Sequence, residues 1–274
     1  MSPVEPIPDA PAALVDGPGE RALVVADYHA GIEQGLRHER GVELDSAADR
    51  RLERLLSLLD RTAPDRVVVL GDLAHRLGAP DGAERAELET LLDRITDRVP
   101  LSLVQGNHDG GVASAFADRM EVTPVDGTVY GDVGLAHGHT WPARDVLGAD
   151  AICVGHEHPQ IRLEDEVGGT RTERVWLRGT LDPAPFLERG LLDGGDFEGG
   201  TGHGTDGRAG SNVPESPDWT APELIVVPAF NDRSGGTWVN VEGQSFLSPF
   251  LPAGLASGEA YLLDGTRLGP YRSV

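Results

Sequence analysis

The chain carries nine histidines, and seven of them fall in five short polar clusters. Asp27 and His29 make a D-x-H pair. Asp72 and His75 follow in "GDLAH", and Asn107, His108 and Asp109 in "GNHD". His137 and His139 form "HGH", and His156 and His158 lie in "GHEH". Taken singly, each cluster has an ordinary reading. A D-x-H is compatible with a turn, "GNHD" with the turn backbone that Asn and Asp favour, and "HEH" with a surface loop. Together they supply carboxylate, amide and imidazole donors without thiolate, a set suited to Mn, Fe, Zn or Co. Two donors one residue apart share one side of an extended stretch, with the intervening side chain turned away. Two adjacent cations repel and need an anion between them; the Asp72 carboxylate, with two oxygens, is the candidate bridge.

Such donors need a frame, and each cluster follows an apolar run. "RALVVADYH" and the β-branched "DRVVVLGDLAH" and "LSLVQGNHDGG" read as strands, the second buried on both faces. Between them, Leu52, Leu55, Leu56 and Leu59 mark one helix, and Leu88, Leu91, Leu92 and Ile95 another. Ser46 is placed to cap the first of these, and Pro64 follows its end. This βαβαβ order predicts a parallel sheet with right-handed crossovers. Shorter strands are expected around 122–125, 128–130, 134–136, 151–154, 161–163 and 174–177, with a late strand in "ELIVVPAF". Ligands of open α/β sheets bind beyond the carboxyl ends of strands, so all five clusters should converge on one rim. Gly71, Gly106 and Gly155 permit the sharp turns that requires.

The first 20 residues, rich in Pro and acids, are expected to be a flexible lead-in. One domain over residues 21–274 follows, with a Gly-, Asp- and Ser-rich insertion at 190–222 expected to be disordered. His203 lies in that insertion and has no assigned task. The chain of 274 residues has a net charge of −22, and all 23 basic residues are arginine. That composition suits a protein soluble in molar salt, the signature of a halophilic archaeon. Salt near 1 M shortens screening to about 3 Å, so the charge does not exclude nucleic acid as substrate. One cysteine, Cys153, excludes an internal disulfide and reads as a small core residue. No apolar run approaches the roughly 20 residues needed to span a membrane. The chain reads as cytoplasmic, with no membrane partner.

The series D-x-H, GD-x-x-H, GNHD, HGH and GH-x-H resembles the calcineurin-like metallophosphoesterase superfamily. The resemblance covers about Ala22 to Pro159 and extends loosely through "VVPAFNDRSGG". That last string, with "GDLAH" and "GHEHP", is similar to the archaeal SbcD-related and ligase-associated DNA phosphoesterases. The resemblance implies an α/β fold, a four-layer α/β/β/α sandwich of two mixed β-sheets flanked by helices. It implies two divalent metal ions, manganese first among the candidates. Asp27, His29, Asp72 and His158 would hold one ion, and Asp72, Asn107, His137 and His156 the other. His108 would contact the substrate phosphate and protonate the leaving oxygen, and Asp109 would fix the His108 ring. His75 and His139 would either support the ligands or only pack beside them. Many superfamily members have Asp where His75 stands, a departure that leaves both ligand sets intact.

Two divalent cations about 3.5–4 Å apart lower the pKa of a shared water toward neutrality, and the resulting hydroxide attacks phosphorus in line. The branch resemblance implies a phosphodiesterase or nuclease acting on DNA, RNA or a nucleotide diester, with DNA repair as the implied setting. A phosphomonoesterase or cyclic-nucleotide phosphodiesterase would use the same ligands. A catalytically silent interaction scaffold would have lost some of them. Specificity should reside in loops around the site, at Leu36–Leu44, Trp141–Val146 and the insertion. Arg37, Arg40, Arg76 and Arg144 are placed to reach phosphates, or equally to pair with the many carboxylates.

Overall fold

The computed structural model of the protein describes residues 2–165, 167–192 and 220–274. The first half contains strands β1 (Val4–Pro6), β2 (Ala12–Asp16), β3 (Arg21–Ala26), β4 (Arg66–Leu70), β5 (Leu101–Val104) and β6 (Glu121–Thr123). The second contains β7 (Thr128–Tyr130), β8 (Val133–Ala136), β9 (Ala151–Val154), β10 (Gln160–Glu164), β11 (Thr170–Leu181), β12 (Glu223–Val226), β13 (Leu255–Leu262) and β14 (Arg267–Pro270). The helices are α1 (Ile32–Arg40), α2 (Ala48–Thr62), α3 (Gly82–Thr96), α4 (Gly110–Ala115), α5 (Arg144–Leu147) and α6 (Ala184–Glu188).

One sheet runs β1-β2-β3-β4-β5-β6, parallel from β3 onward and antiparallel at β1 and β2. The other runs β14-β13-β11-β12-β9-β8-β7, with β10 paired to β11, and is parallel only across β12, β9 and β8. Strand side chains alternate between faces, and here both faces are covered. Leu23 and Val25 of β3, with Val67 and Val69 of β4, face a core shared with Leu55 and Leu58 of α2 and Leu88 and Leu92 of α3. Their neighbours Val24, Ala26, Val68 and Leu70 meet Cys153, Trp176 and Ile225 between the sheets. Ile152, Val154, Leu224 and Val226 face outward onto Phe186, Phe250 and Val146. These three cores separate four layers, the expected α/β/β/α sandwich. Burying the strands on both faces explains why "VVVL" and "AICV" show no polar alternation.

Three sequence expectations need correction or limits. The first 20 residues are not a flexible lead-in: β1 and β2 extend the first sheet, and Val4, Ala12, Ala13 and Val15 are buried. The prolines that suggested flexibility are tolerated because they sit in an edge strand and its turn. The segment 36–44 is not a loop throughout, since α1 reaches Arg40. Residues 193–219, which hold most of the expected insertion and His203, lie outside the described residues.

Candidate metal centre

The clusters follow the carboxyl ends of β3, β4, β5, β8 and β9, and these ends share one rim. Expectation and structure differ in the backbone itself. Asp27 (φ 55°), His29 (φ 50°), Asp72 (φ 50°), His156 (φ 68°) and His158 (φ 44°) are left-handed rather than extended. Asp and His enter that region more readily than most residues. The kinked path still turns the intervening residue away. Tyr28 is buried against Phe230, with ring centroids 5.8 Å apart, and Glu157 is fully buried. Gly71 is also left-handed (φ 71°), and a Cβ there would collide with the His137 ring.

Two groups of donors result. Asp27, His29 and His158 place one ligand atom each within 4.8 Å of one another, and so do Asp72, His137 and His156. In the first group, His158 Nε2 lies 3.2 Å from Asp27 Oδ1 and 3.2 Å from His29 Nε2. In the second, His137 Nε2 lies 3.3 Å from Asp72 Oδ1 and 3.1 Å from Asn107 Oδ1. Asp72 Oδ2 also approaches His29 Nε2, at 3.9 Å. Asp72 therefore touches both groups, as a bridging carboxylate must. In two of the four imidazoles the other nitrogen is oriented by a carbonyl: His137 Nδ1 by Leu70 at 2.8 Å and His158 Nδ1 by Gly235 at 2.7 Å. Such bonds leave Nε2 as the donor to an ion.

The charges agree with that assignment. Burial pushes Asp27 and Asp72 upward, but the adjacent imidazoles outweigh it and hold both carboxyls below the usual range. Burial, reinforced by a neighbouring imidazole, pushes His29 down to about 3 and His156 down to about 4, so both are neutral ligands. Burial alone would lower His137 too, yet Asp72 and Asp27 raise it to about 9. Two buried carboxylates thus draw positive charge to His137, beside the neutral His29 and His156, and buried charges of this kind are stable only when paired or metal-bound. The donors fit divalent transition ions.

A ring of side chains behind the ligands holds the loops. Asp109 is fully buried and accepts N–H bonds from Gly106 (2.8 Å), Asp72 (2.7 Å) and Leu73 (2.9 Å). Contrary to the expectation, it does not fix the His108 ring; the His108 Nδ1 contact is the carbonyl oxygen of His75. Asp109 turns inward because these three backbone donors and the more distant Ala74 N–H (3.4 Å) surround it, whereas the His108 ring lies on the pocket side. Asn231 donates Nδ2–H to the Tyr28 carbonyl at 3.0 Å and so braces the D-x-H loop. Glu157 accepts from Thr237 Oγ1 (2.9 Å), Leu247 N–H (2.9 Å) and Ser248 N–H (2.6 Å). Glu84 of α3 accepts the His75 and Arg76 N–H groups at 3.0 and 2.9 Å. Arg51, buried between Glu33 (2.6 Å) and Glu87 (2.7 Å), supports α1 from below. Of these residues, sequence reasoning singles out Asp109 and misses the rest. Asn231 alone left a signal: "NDRSGG" is another polar cluster after an apolar strand, lacking only a histidine.

His108 lies 3.9 Å from Asp72 Oδ2 and lines a pocket of about 240 Å³ with His29, Asp72, Asn107, His156 and His158. His75 lines it too, its ring stacked on His108 at 6.0 Å. His139 packs beside His137 (5.1 Å) and His156 (6.0 Å), and burial lowers it to about 4. Of the four arginines expected near the site, Arg37 pairs with Glu43, Arg76 with Asp81, and Arg144 donates to the Gly190 carbonyl. Arg40 lines the pocket.

Comparison with known proteins follows this geometry. The calcineurin-like phosphoesterase family matches residues 20–160. None of the curated proteins compared matches the chain. Among solved structures, the nuclease MPE of Pseudomonas putida is similar over 97% of this chain and 100% of its own, at 20% identity and TM-score 0.55. YfcE, a phosphoesterase from E. coli, is similar over 53% of this chain and 73% of its own, at 20% identity and TM-score 0.33. At that identity, the likeness to MPE shows a shared fold.

Proposed function

The chain belongs to the calcineurin-like phosphoesterase family and is a metal-dependent phosphoester hydrolase; from that premise we propose a two-metal phosphodiesterase that cuts nucleic acid or a nucleotide-derived diester. The observation that carries this reading is the contact of Asp72 with both donor groups, beside a pocket that His108 lines. Asp27, His29, Asp72 and His158 would hold one ion, and Asp72, Asn107, His137 and His156 the other, with manganese the leading candidate. The bound ions supply Lewis-acid polarisation of phosphoryl oxygens and an activated water. The chain's own residues do the rest. His108 contacts the phosphate and hands a proton to the leaving oxygen, which stabilises charge developing in the transition state. Asp109 acts through the backbone of residues 72–73 and 106, not on the substrate. His75 and His139 keep their neighbours in place.

A nucleic-acid substrate is supported by the full-length likeness to a protein named a nuclease. The strings "GDLAH", "GHEHP" and "NDRSGG" support the SbcD-related and ligase-associated branch and, with it, a setting in DNA repair. We read residues 21–274, with β1 and β2 added, as one domain carrying an insertion. The acidic, lysine-free composition supports a high-salt cytoplasm; no helix among the described residues is long and apolar enough to cross a membrane.

The test is metal analysis of the purified protein together with hydrolysis of bis-p-nitrophenyl phosphate and p-nitrophenyl phosphate in Mn²⁺ at high salt. Two ions per chain and preference for the diester support the proposal. Preference for the monoester would make it a phosphomonoesterase, and no metal with no turnover would make it a scaffold.

A further inference from the structure

One wall of the pocket is formed by α1. Ile32, Leu36 and Arg40 follow one another at four-residue spacing, so they share one face of the helix, and all three line the pocket. Gly35 lets α1 approach this closely, since a Cβ there would strike the His75 ring. Leu247 stands on the same pocket and is 57% exposed. The pocket thus continues outward from the ligands into a mouth with apolar walls and a guanidinium.

That guanidinium is unusual in this molecule. With 45 acidic residues against 23 arginines, most described arginines are tied to carboxylates or carbonyls. Arg233, at the same mouth, is held by Glu33 at 3.2 Å and by the Asp45 carbonyl at 2.5 Å. Arg37, Arg76 and Arg144 are engaged elsewhere. Arg40 is exposed and, among the described residues, has no ion-pair or hydrogen-bond partner for its side chain. Arg61, Arg94 and Arg162 are also unpartnered, but they do not line this pocket. Glu39 lines it beside Arg40 and does not pair with it. In a chain this acidic, an arginine left unpaired beside a phosphoester site is positioned for an anion that arrives with the substrate. Its planar fork matches two phosphate oxygens.

We propose that Arg40 binds the phosphate next to the scissile one in a polynucleotide strand, with Leu36 and Leu247 packing the intervening nucleoside, so that the pocket selects a nucleic-acid strand over a diester with a single phosphate. The inference rests on the phosphodiesterase reading of the site and deepens it.

The experiment compares wild type, Arg40→Gln and Arg40→Lys as full chains in Mn²⁺, on bis-p-nitrophenyl phosphate and on a single-stranded oligodeoxynucleotide. Salt is varied over the range in which circular dichroism shows the fold intact. Arg40→Gln should reduce kcat/KM on the oligonucleotide about tenfold more than on the small diester, mainly through KM. Its salt slope, log kcat/KM against log salt, should become shallower by about 0.7, the value for one lost phosphate contact to a single strand. Arg40→Lys should keep the slope. Equal losses on both substrates, or none, overturn the proposal, as does a wild type that hydrolyses the small diester and ignores the oligonucleotide. Anisotropy of a labelled oligonucleotide reads the contact without turnover. An Arg40→Gln affinity equal to wild type sinks the Arg40 assignment even where diester hydrolysis is robust. Absent diester hydrolysis with a tenfold weaker Arg40→Gln affinity sinks the catalytic reading and leaves Arg40 as a phosphate-binding residue.

Discussion

Asp109→Ala separates two accounts of a residue that lies next in sequence to His108, the proposed acid. If Asp109 fixed the His108 ring, its loss would lower kcat and leave the metals and the fold alone. The structure puts its carboxylate elsewhere, under three backbone N–H groups at 2.7–2.9 Å. Each buried N–H left without an acceptor costs about 1–3 kcal/mol. Partial relaxation and entry of water favour the low end, so three of them come to about 3 kcal/mol. A change of that size lowers Tm by about 6–12 °C in a domain of this size class. Two of the three donors belong to residues 72 and 73, so the bridging carboxylate shifts with them. Loss of a group that orients a ligand typically weakens metal affinity 10–100-fold. Asp109→Asn should lose roughly half as much stability, because an amide keeps one acceptor oxygen but turns an N–H₂ toward the remaining donor. The assay is thermal unfolding by circular dichroism at fixed salt, with manganese per chain measured after gel filtration. An Asp109→Ala protein with wild-type Tm and full metal content, reduced only in kcat, would refute the reasoning.

Other expectations follow from the same geometry. Asp72→Asn should nearly abolish turnover and reduce bound metal at both positions, read by elemental analysis, because one carboxylate faces both donor groups. His108→Ala should lower kcat by about 10²–10⁴ with metal content near normal; loss of both ions would contradict its role. Chelation should lower Tm by an amount that grows with the logarithm of the free metal that had been present, equivalent to about 4 kcal/mol per site when that metal stood at a thousand times its Kd. Cys153, fully buried, has its thiol pushed up to about 12 by burial. A thiol reagent at pH 8 should therefore label it only as the protein unfolds, and rapid labelling of the native protein would contradict the placement between the sheets.

How far the sequence reveals the molecule varies by element. The parallel strands are legible because burial on both faces demands unbroken apolar runs, and the ligands because His and Asp recur just after those runs. β1 and β2 are hidden by Pro3, Pro6, Pro8 and Pro11, whose neighbours still alternate well enough to pair at an edge. Helix α1 is hidden for another reason. "IEQGLRHER" carries only Ile32 and Leu36 as apolar residues and a glycine in its interior, so no stripe appears. Its helicity depends on tertiary contacts: Gly35 packs against His75, and the Glu33 carboxylate is held by Arg51 at 2.6 Å. The sequence marks Asp109 but not its role, because beyond the nearby Gly106 its partners are backbone groups 36 and 37 residues away, at Leu73 and Asp72. No spacing rule encodes such a contact.

The same contacts explain why the chain buries acids so close to carboxylate ligands. Five of the seven non-glycine residues with left-handed backbone among the described residues are expected metal ligands. Each such residue costs on the order of 1–3 kcal/mol and persists only where its surroundings over-determine it. Behind these ligands stand Asp109, Glu157, Glu84 and Asn231, all no more than 1% exposed. Asp109, Glu157 and Glu84 accept backbone N–H bonds from site loops or from the segment packed against them, and Asn231 donates to a loop carbonyl. A carboxylate suits this work because its two oxygens can gather several N–H groups that no regular strand or helix would satisfy. An acid at these positions is therefore not part of the solvated surface that gives the chain its charge. It offsets the strain that lets two D-x-H and H-x-H segments present both of their donors to one rim.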